Sequence, residues 1–211
     1  MKRTLLLILP VIAIAVAAPE GGQKSREEAI GLLWQESVTA ESGGDAAGAM
    51  EKLLAYGKGG GDSYLANLRA GWLNYSAQKY DEAGRFYTVA AKLQTNAMNP
   101  RIGLLNVAQA KGDTVAATTA AEAVLKIEPT NYRASMAYAW GNFQAKDYRR
   151  AGSAYQRVVM TYPEDQDALS GAAWCALYLN QKREALDGFR RLMGLNPEYA
   201  NLRQGIAAAS N

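Results

Sequence analysis

From about residue 30 onward, the apolar positions recur on a 34-residue grid. Ala49, Ala83, Ala117, Ala151 and Ala185 are spaced by 34 at every step. Four residues after each stand Leu53, Tyr87, Ala121, Tyr155 and Phe189, and seven after stand Tyr56, Ala90, Val124, Val158 and Leu192. Offsets of zero, four and seven fall on one face of an α-helix. The pattern predicts helix pairs. In the unit 132–165, helix A is expected over roughly 132–145, a turn at Lys146-Asp147, and helix B over roughly 148–162. The turn dipeptide returns on the grid as Gly44-Asp45, Gln78-Lys79, Gly112-Asp113, Lys146-Asp147 and Asn180-Gln181. Gly permits a left-handed helix end, and Asp caps the helix that follows. The grid Ala marks the closest crossing of the two helices, and the larger residue four positions on covers the next turn. Pro129, Pro163 and Pro197 are also spaced by 34 and close units. Pro10 and Pro19 belong to the leader and Pro100 to a connector, so no proline interrupts a predicted helix, where it would cost about 3 kcal/mol.

The pattern before residue 30 is different. Lys2 and Arg3 precede an almost wholly apolar run, Thr4 to Val16, followed by the A-x-A match Ala15-Val16-Ala17. This is the layout of a secretory signal peptide over 1–17, with cleavage before Ala18. The run is short of the roughly 20 residues a spanning helix needs, and Pro10 weakens it further. Retention as an uncleaved anchor is the alternative, and it is the one membrane contact expected. Residues 18–29 read as a linker. A periplasmic or secreted protein is therefore the expectation.

The 34-residue period, the Ala-x-x-x-aromatic step and the closing Pro resemble the tetratricopeptide repeat. The signature residues are Ala83, Ala117, Ala151, Ala185, Tyr87, Tyr155, Phe189, Pro129, Pro163 and Pro197. The resemblance covers four units, 64–97, 98–131, 132–165 and 166–199. A degenerate helical hairpin, 30–63, keeps Gly44-Asp45 and Ala49 but closes on Gly59-Gly60-Gly61, read as a flexible joint. Residues 200–211, with Leu202 and Ile206 on one face, read as a C-terminal capping helix. The resemblance implies an all-α, right-handed α-solenoid of antiparallel helix pairs, about five repeats long.

It also implies a concave side lined by the A helices. In the family, positions 2, 5, 9, 12 and 13 of helix A face that groove. Carried onto this chain, they give a partner-binding surface of Trp34, Leu68, Trp72, Tyr75, Asn106, Gln109, Met136, Trp140, Phe143, Trp174 and Leu177. All four Trp then share one face. Two readings of them stand: an exposed groove for an apolar or aromatic-rich peptide or helix, or core packing between adjacent A helices. The family's clamp for acidic chaperone tails is not matched, since only Asn106 and Arg133 are suitable and Leu68 and Trp72 stand where polar residues are needed.

Composition narrows the chemistry. Among 211 residues there is no His and one Cys. Histidine-dependent triads, His-ligated zinc and an internal disulfide are excluded. No cofactor and no metal site is expected. Cys175, in the apolar run around Trp174, reads as a small buried hydrophobe. Net charge is +3 with 49% apolar residues, which does not suit a nucleic-acid binder. Without Lys2 and Arg3 the balance is 21 basic against 20 acidic residues. A carboxylate-dependent glycan- or cell-wall-acting enzyme is the alternative class. Its only groove candidates are Glu41 and Asp167, at opposite ends of the array, so no enzyme is expected. A second alternative uses the basic B-helix face, Arg149, Arg150, Arg157, Lys182, Arg183, Arg190 and Arg191, to hold an anionic envelope polymer. On the simpler reading that face is solvated and balanced by Glu184 and Asp187. The expected function is a non-catalytic scaffold for a protein or peptide partner, in cell-envelope assembly or secretion. Self-association through the terminal repeats is a variant of it.

Overall fold

A computed structural model describes residues 20–210, with side chains from residue 22. The predicted signal peptide lies outside the described residues. Eleven α-helices follow one another there: α1 (Glu20–Ser42), α2 (Ala46–Gly59), α3 (Ser63–Ser76), α4 (Tyr80–Leu93), α5 (Asn99–Ala110), α6 (Thr114–Leu125), α7 (Tyr132–Gln144), α8 (Tyr148–Thr161), α9 (Gln166–Tyr178), α10 (Lys182–Leu195) and α11 (Leu202–Ser210). They pair as antiparallel hairpins in an all-α solenoid, with α11 packed on α9 and α10 as a cap. Buried Leu202 and half-buried Ile206 carry that contact.

The A-to-B turns explain the period. Gly44, Gln78, Gly112, Lys146 and Asn180 all have positive φ, between 58° and 82°. At each turn the next residue's N–H donates to a carbonyl five residues back, as in Asp147 to Asn142 and Gln181 to Ala176. This is a Schellman stop repeated every 34 residues. Asp45, Asp113 and Asp147 then cap the B helix through a side-chain oxygen, whereas Lys79 and Gln181 make no such bond. A left-handed backbone costs a non-Gly residue about 1–2 kcal/mol. Lys146→Gly should therefore raise stability by about 1 kcal/mol, seen as a higher urea midpoint, while Gly112→Lys at the matching turn should lower it.

Stacking is governed by a size rule. The residue at the twenty-fourth position of each unit is buried between the eighth position of its own A helix and the sixth of the next. Tyr87 lies against Gly71 and Gly103, and a Cβ on either glycine would come within 2.6 Å of its ring. Tyr155 lies against Gly171, and Phe189 against Gly205, with the same 2.5 Å conflict. Where the knob is small, its neighbours are larger: Ala121 shares its cluster with Leu105 and Ala137. Interiors pack at near-crystalline density, so knob and socket sizes are coupled.

Three expectations are corrected. Residues 20–29 are not linker but the first turns of α1, anchored where Arg26 Nη2 donates to the Gly59 carbonyl at 2.9 Å. The Gly59-Gly60-Gly61 stretch is a defined helix stop rather than a loose joint. Gly60 is left-handed at φ 104°, Gly61 N–H donates to the Tyr56 carbonyl, and the Tyr56 hydroxyl accepts from Asp62 N–H at 2.9 Å. Pro100 is not in a connector; it sits buried in the first turn of α5, where a missing N–H is harmless.

Candidate functional site

A helices of neighbouring units touch directly, α3 with α5, α7 with α9 and α9 with α11, whereas no two successive B helices pack to that extent. The A helices therefore occupy the inner side of the array. Their exposed faces divide into a closed N-terminal half and an open C-terminal half.

The N-terminal half is tied together by its own side chains. Glu41 forms an ion pair with Arg69 and accepts from Trp72 Nε1 at 3.0 Å. The Arg69 guanidinium lies over Trp34 at 5.4 Å, and Trp34 packs on Tyr56 at 5.2 Å. Trp34 is thus half-buried against the first core cluster. Leu68 and Tyr75 pack on the cluster around Tyr87. Trp72 remains 50% exposed and stacks with Tyr75 at 6.4 Å.

The C-terminal half holds a groove of about 780 Å³ running from α5 to α11. Of the residues expected to bind a partner, Gln109, Met136, Trp140, Phe143 and Trp174 line it. Trp34, Leu68, Trp72, Tyr75, Asn106 and Leu177 do not, and Leu177 packs on the last core cluster instead. Trp140 is 51% exposed and stacks on Phe143 at 6.0 Å with rings 9° from parallel. Tyr178 bridges Phe143 at 5.9 Å and Trp174 at 6.0 Å, and stacks on Tyr148 at 4.5 Å. Trp174 also meets Phe189 edge-on at 5.2 Å, so it serves both core and groove. The wall is consequently a continuous aromatic sheet of high contact area and low side-chain entropy.

Polar groups sit at the two ends. At one, Arg133 Nη2 donates to Asn106 Oδ1 at 2.9 Å and to Gln109 Oε1 at 3.3 Å. At the other, the Tyr199 hydroxyl donates to Asp167 Oδ1 at 2.6 Å, and nearby Tyr132 donates to Asp165 Oδ2 at 2.7 Å. The bond to Asp165 holds the Tyr132 phenol up at about 12, and burial followed by Asp167 does the same for Tyr199. Glu41 and Asp167 both serve as acceptors within the array. Tyr132, Tyr155, Tyr178 and Tyr199 were not among the expected groove residues. Tyr178 occupies the thirteenth position of its unit, a groove position that was available from the repeat register.

Cys175 is buried on α9, and burial pushes its thiol up to about 12. Burial also lifts Tyr87 to about 12 and Tyr155 higher still. These groups are harder to ionise folded than unfolded. The stability they contribute is complete below the ordinary values, 9.0 for the thiol and 10.0 for the phenols, and is lost as pH rises toward about 12. Urea midpoints should be flat from neutral pH to about 9 and then fall steadily, in step with tyrosinate absorbance.

On the outer face, Arg150 pairs with Asp147 at 3.4 Å and Arg191 donates to the Pro163 carbonyl at 2.7 Å. The expected balance of this face by Glu184 and Asp187 is not made through ion pairs among the described residues.

No protein-family model matches the sequence, and no curated protein matches it. Solved structures do resemble the fold. A tetratricopeptide repeat protein from Parabacteroides merdae ATCC 43184 is 21% identical with a TM-score of 0.65, over 88% of this chain and 72% of that one. YrrB, described as a TPR protein with an unusual peptide-binding site, is 14% identical with a TM-score of 0.69, over 89% and 98%. MamA is 17% identical with a TM-score of 0.62, over 70% and 80%. The chain has the tetratricopeptide-repeat fold.

Proposed function

We propose that this protein is a non-catalytic interaction scaffold that holds a peptide or helix of a partner protein in the groove between α5 and α11. The observation that carries the reading is the open aromatic wall, above all Trp140, half-exposed with its ring stacked only along one side. Large aromatic surfaces left uncovered on a folded protein mark binding sites. The similarity to YrrB supports the same reading, because that protein is described as having a peptide-binding site. The apolar leader with its A-x-A match supports export, and with it a role in envelope assembly or secretion.

The test is cross-linking in cells followed by mass spectrometry, on the wild type and on Trp140→Ala at equal abundance. A stoichiometric protein partner captured by the wild type and lost from the variant is the expected result. Equal capture by both removes the groove from the account. Fractionation of the same cells, with the N-terminal sequence of the purified protein, reads the export step: a mature chain beginning at Ala18 is expected.

A further inference from the structure

The floor of the groove contains a donor without a partner. Tyr155, on α8, is only 4% exposed, yet it lines the groove behind Gly171. The Tyr132 and Tyr199 hydroxyls donate to Asp165 and Asp167. The Tyr155 hydroxyl donates to no described residue, and it is not among the side-chain atoms sealed away from the groove. Packing does not require that hydroxyl. The equivalent position of the next unit is Phe189, which fills the same kind of socket against Gly205. The hydroxyl is therefore open to the groove, where an acceptor on an occupant can take its hydrogen bond.

The two ends of the groove carry opposite charge. Arg133 is exposed, its two hydrogen bonds go to neutral amide oxygens, and no described carboxylate pairs with it. Its Nε and Nη1 donors remain for a ligand. Asp167 is exposed and has one oxygen taken by Tyr199, leaving the other. Between them stand Trp140 and Trp174. Arg133 stands on α7 and reaches Asn106 and Gln109 on α5, while Asp167 stands on α9, so the two charges are at most about two helix spacings, roughly 20 Å, apart. An extended chain covers that distance in about six residues.

We propose, on the reading of this groove as a peptide site, that its occupant is an extended segment of a partner protein with a fixed charge order. A carboxylate side chain meets Arg133, a large apolar side chain sits between Trp140 and Trp174, and a cationic side chain meets Asp167. The Tyr155 hydroxyl donates to a main-chain carbonyl between them. The aromatic wall supplies affinity, and the charged ends set direction and choice of partner.

Fluorescence anisotropy with capped, dye-labelled hexapeptides tests this. The probes are Glu-Ala-Leu-Phe-Ala-Lys, its reversed sequence Lys-Ala-Phe-Leu-Ala-Glu, and the neutral Gln-Ala-Leu-Phe-Ala-Gln. One charged order should bind the purified protein at least about tenfold more tightly than the other two. Arg133→Gln should abolish the preference for Glu over Gln and keep that for Lys. Asp167→Asn, which retains an acceptor for Tyr199, should do the reverse. Tyr155→Phe should weaken all three probes alike, by about three- to tenfold, with an unchanged urea midpoint. Equal binding of the two charged orders and the neutral peptide overturns the proposal, as does a charge preference that survives both neutralising variants. Self-association that disappears in Arg133→Gln would put a second copy in the groove and also overturn it. If no probe binds while cellular capture still depends on Trp140, the charge order falls and the groove reading stands. If capture ignores Trp140, the groove reading itself has failed.

Discussion

Gly171→Ala should lower the stability of the array by about 1–3 kcal/mol, although it adds a single methyl to a helix, where Ala is intrinsically favoured over Gly by about 1 kcal/mol. The added carbon would lie 2.5 Å from the Tyr155 ring. That ring is buried in the cluster of Ala139, Ala151, Ala154 and Val158, so it can move away from the added methyl only by giving up those contacts. The decisive measurement is a cycle with Tyr155→Ala, which alone should cost about 3–5 kcal/mol by leaving a cavity. The double variant recreates the Ala121/Ala137 pairing already present one unit earlier. Its loss should be smaller than the sum of the single losses by more than 1 kcal/mol. Strict additivity in urea unfolding would show that ring and glycine do not form one packing unit.

The second large effect concerns binding. Trp140→Ala should weaken partner binding by about 2 kcal/mol or more, roughly thirtyfold, and shift the urea midpoint very little. The reason is geometric: Trp140 is 51% exposed and stacks on Phe143 without entering a core cluster. Trp174→Ala should behave differently, because that ring also packs edge-on against Phe189 in the last core cluster. It should lose stability as well as binding. A Trp140→Ala protein that unfolds early and retains its partner would exchange the roles of the two residues and remove the groove from the functional account.

These contrasts show where sequence reasoning reached and where it stopped. The period was legible because each constraint that produces it is local: a left-handed residue at the turn, a cap after it, an Ala at the crossing. Even Lys146 and Asn180, unfavourable left-handed residues, stand where the grid requires them. The start of α1 was not legible, since Glu20 to Ala29 is polar and off the grid; its position is fixed by contacts such as Arg26 on Gly59. The groove was legible only in part. Trp34 and Trp140 stand at the fifth and ninth positions of their A helices, both expected in the groove, yet the Arg69 guanidinium lies over the one while the other is left half-exposed. That difference depends on a neighbour in the next repeat, which a position-by-position reading does not see. Tyr155 was read as a packing residue, which it is, and its hydroxyl became visible only once the neighbouring glycine was seen to open the floor.

The coupling of knob to socket also constrains how this array can have grown or shortened by copying whole units. Excising 98–131 would bring Tyr87 onto Ala137, a collision, and excising 132–165 would bring Ala121 onto Gly171, a void. Removing both together would return Tyr87 to a glycine, Gly171, of the kind it already meets in Gly103. The two middle units can therefore be removed together but not singly, whereas the last regular unit, 166–199, can be removed or copied alone, because Tyr155 would then meet Gly205 and Phe189 a second Gly171.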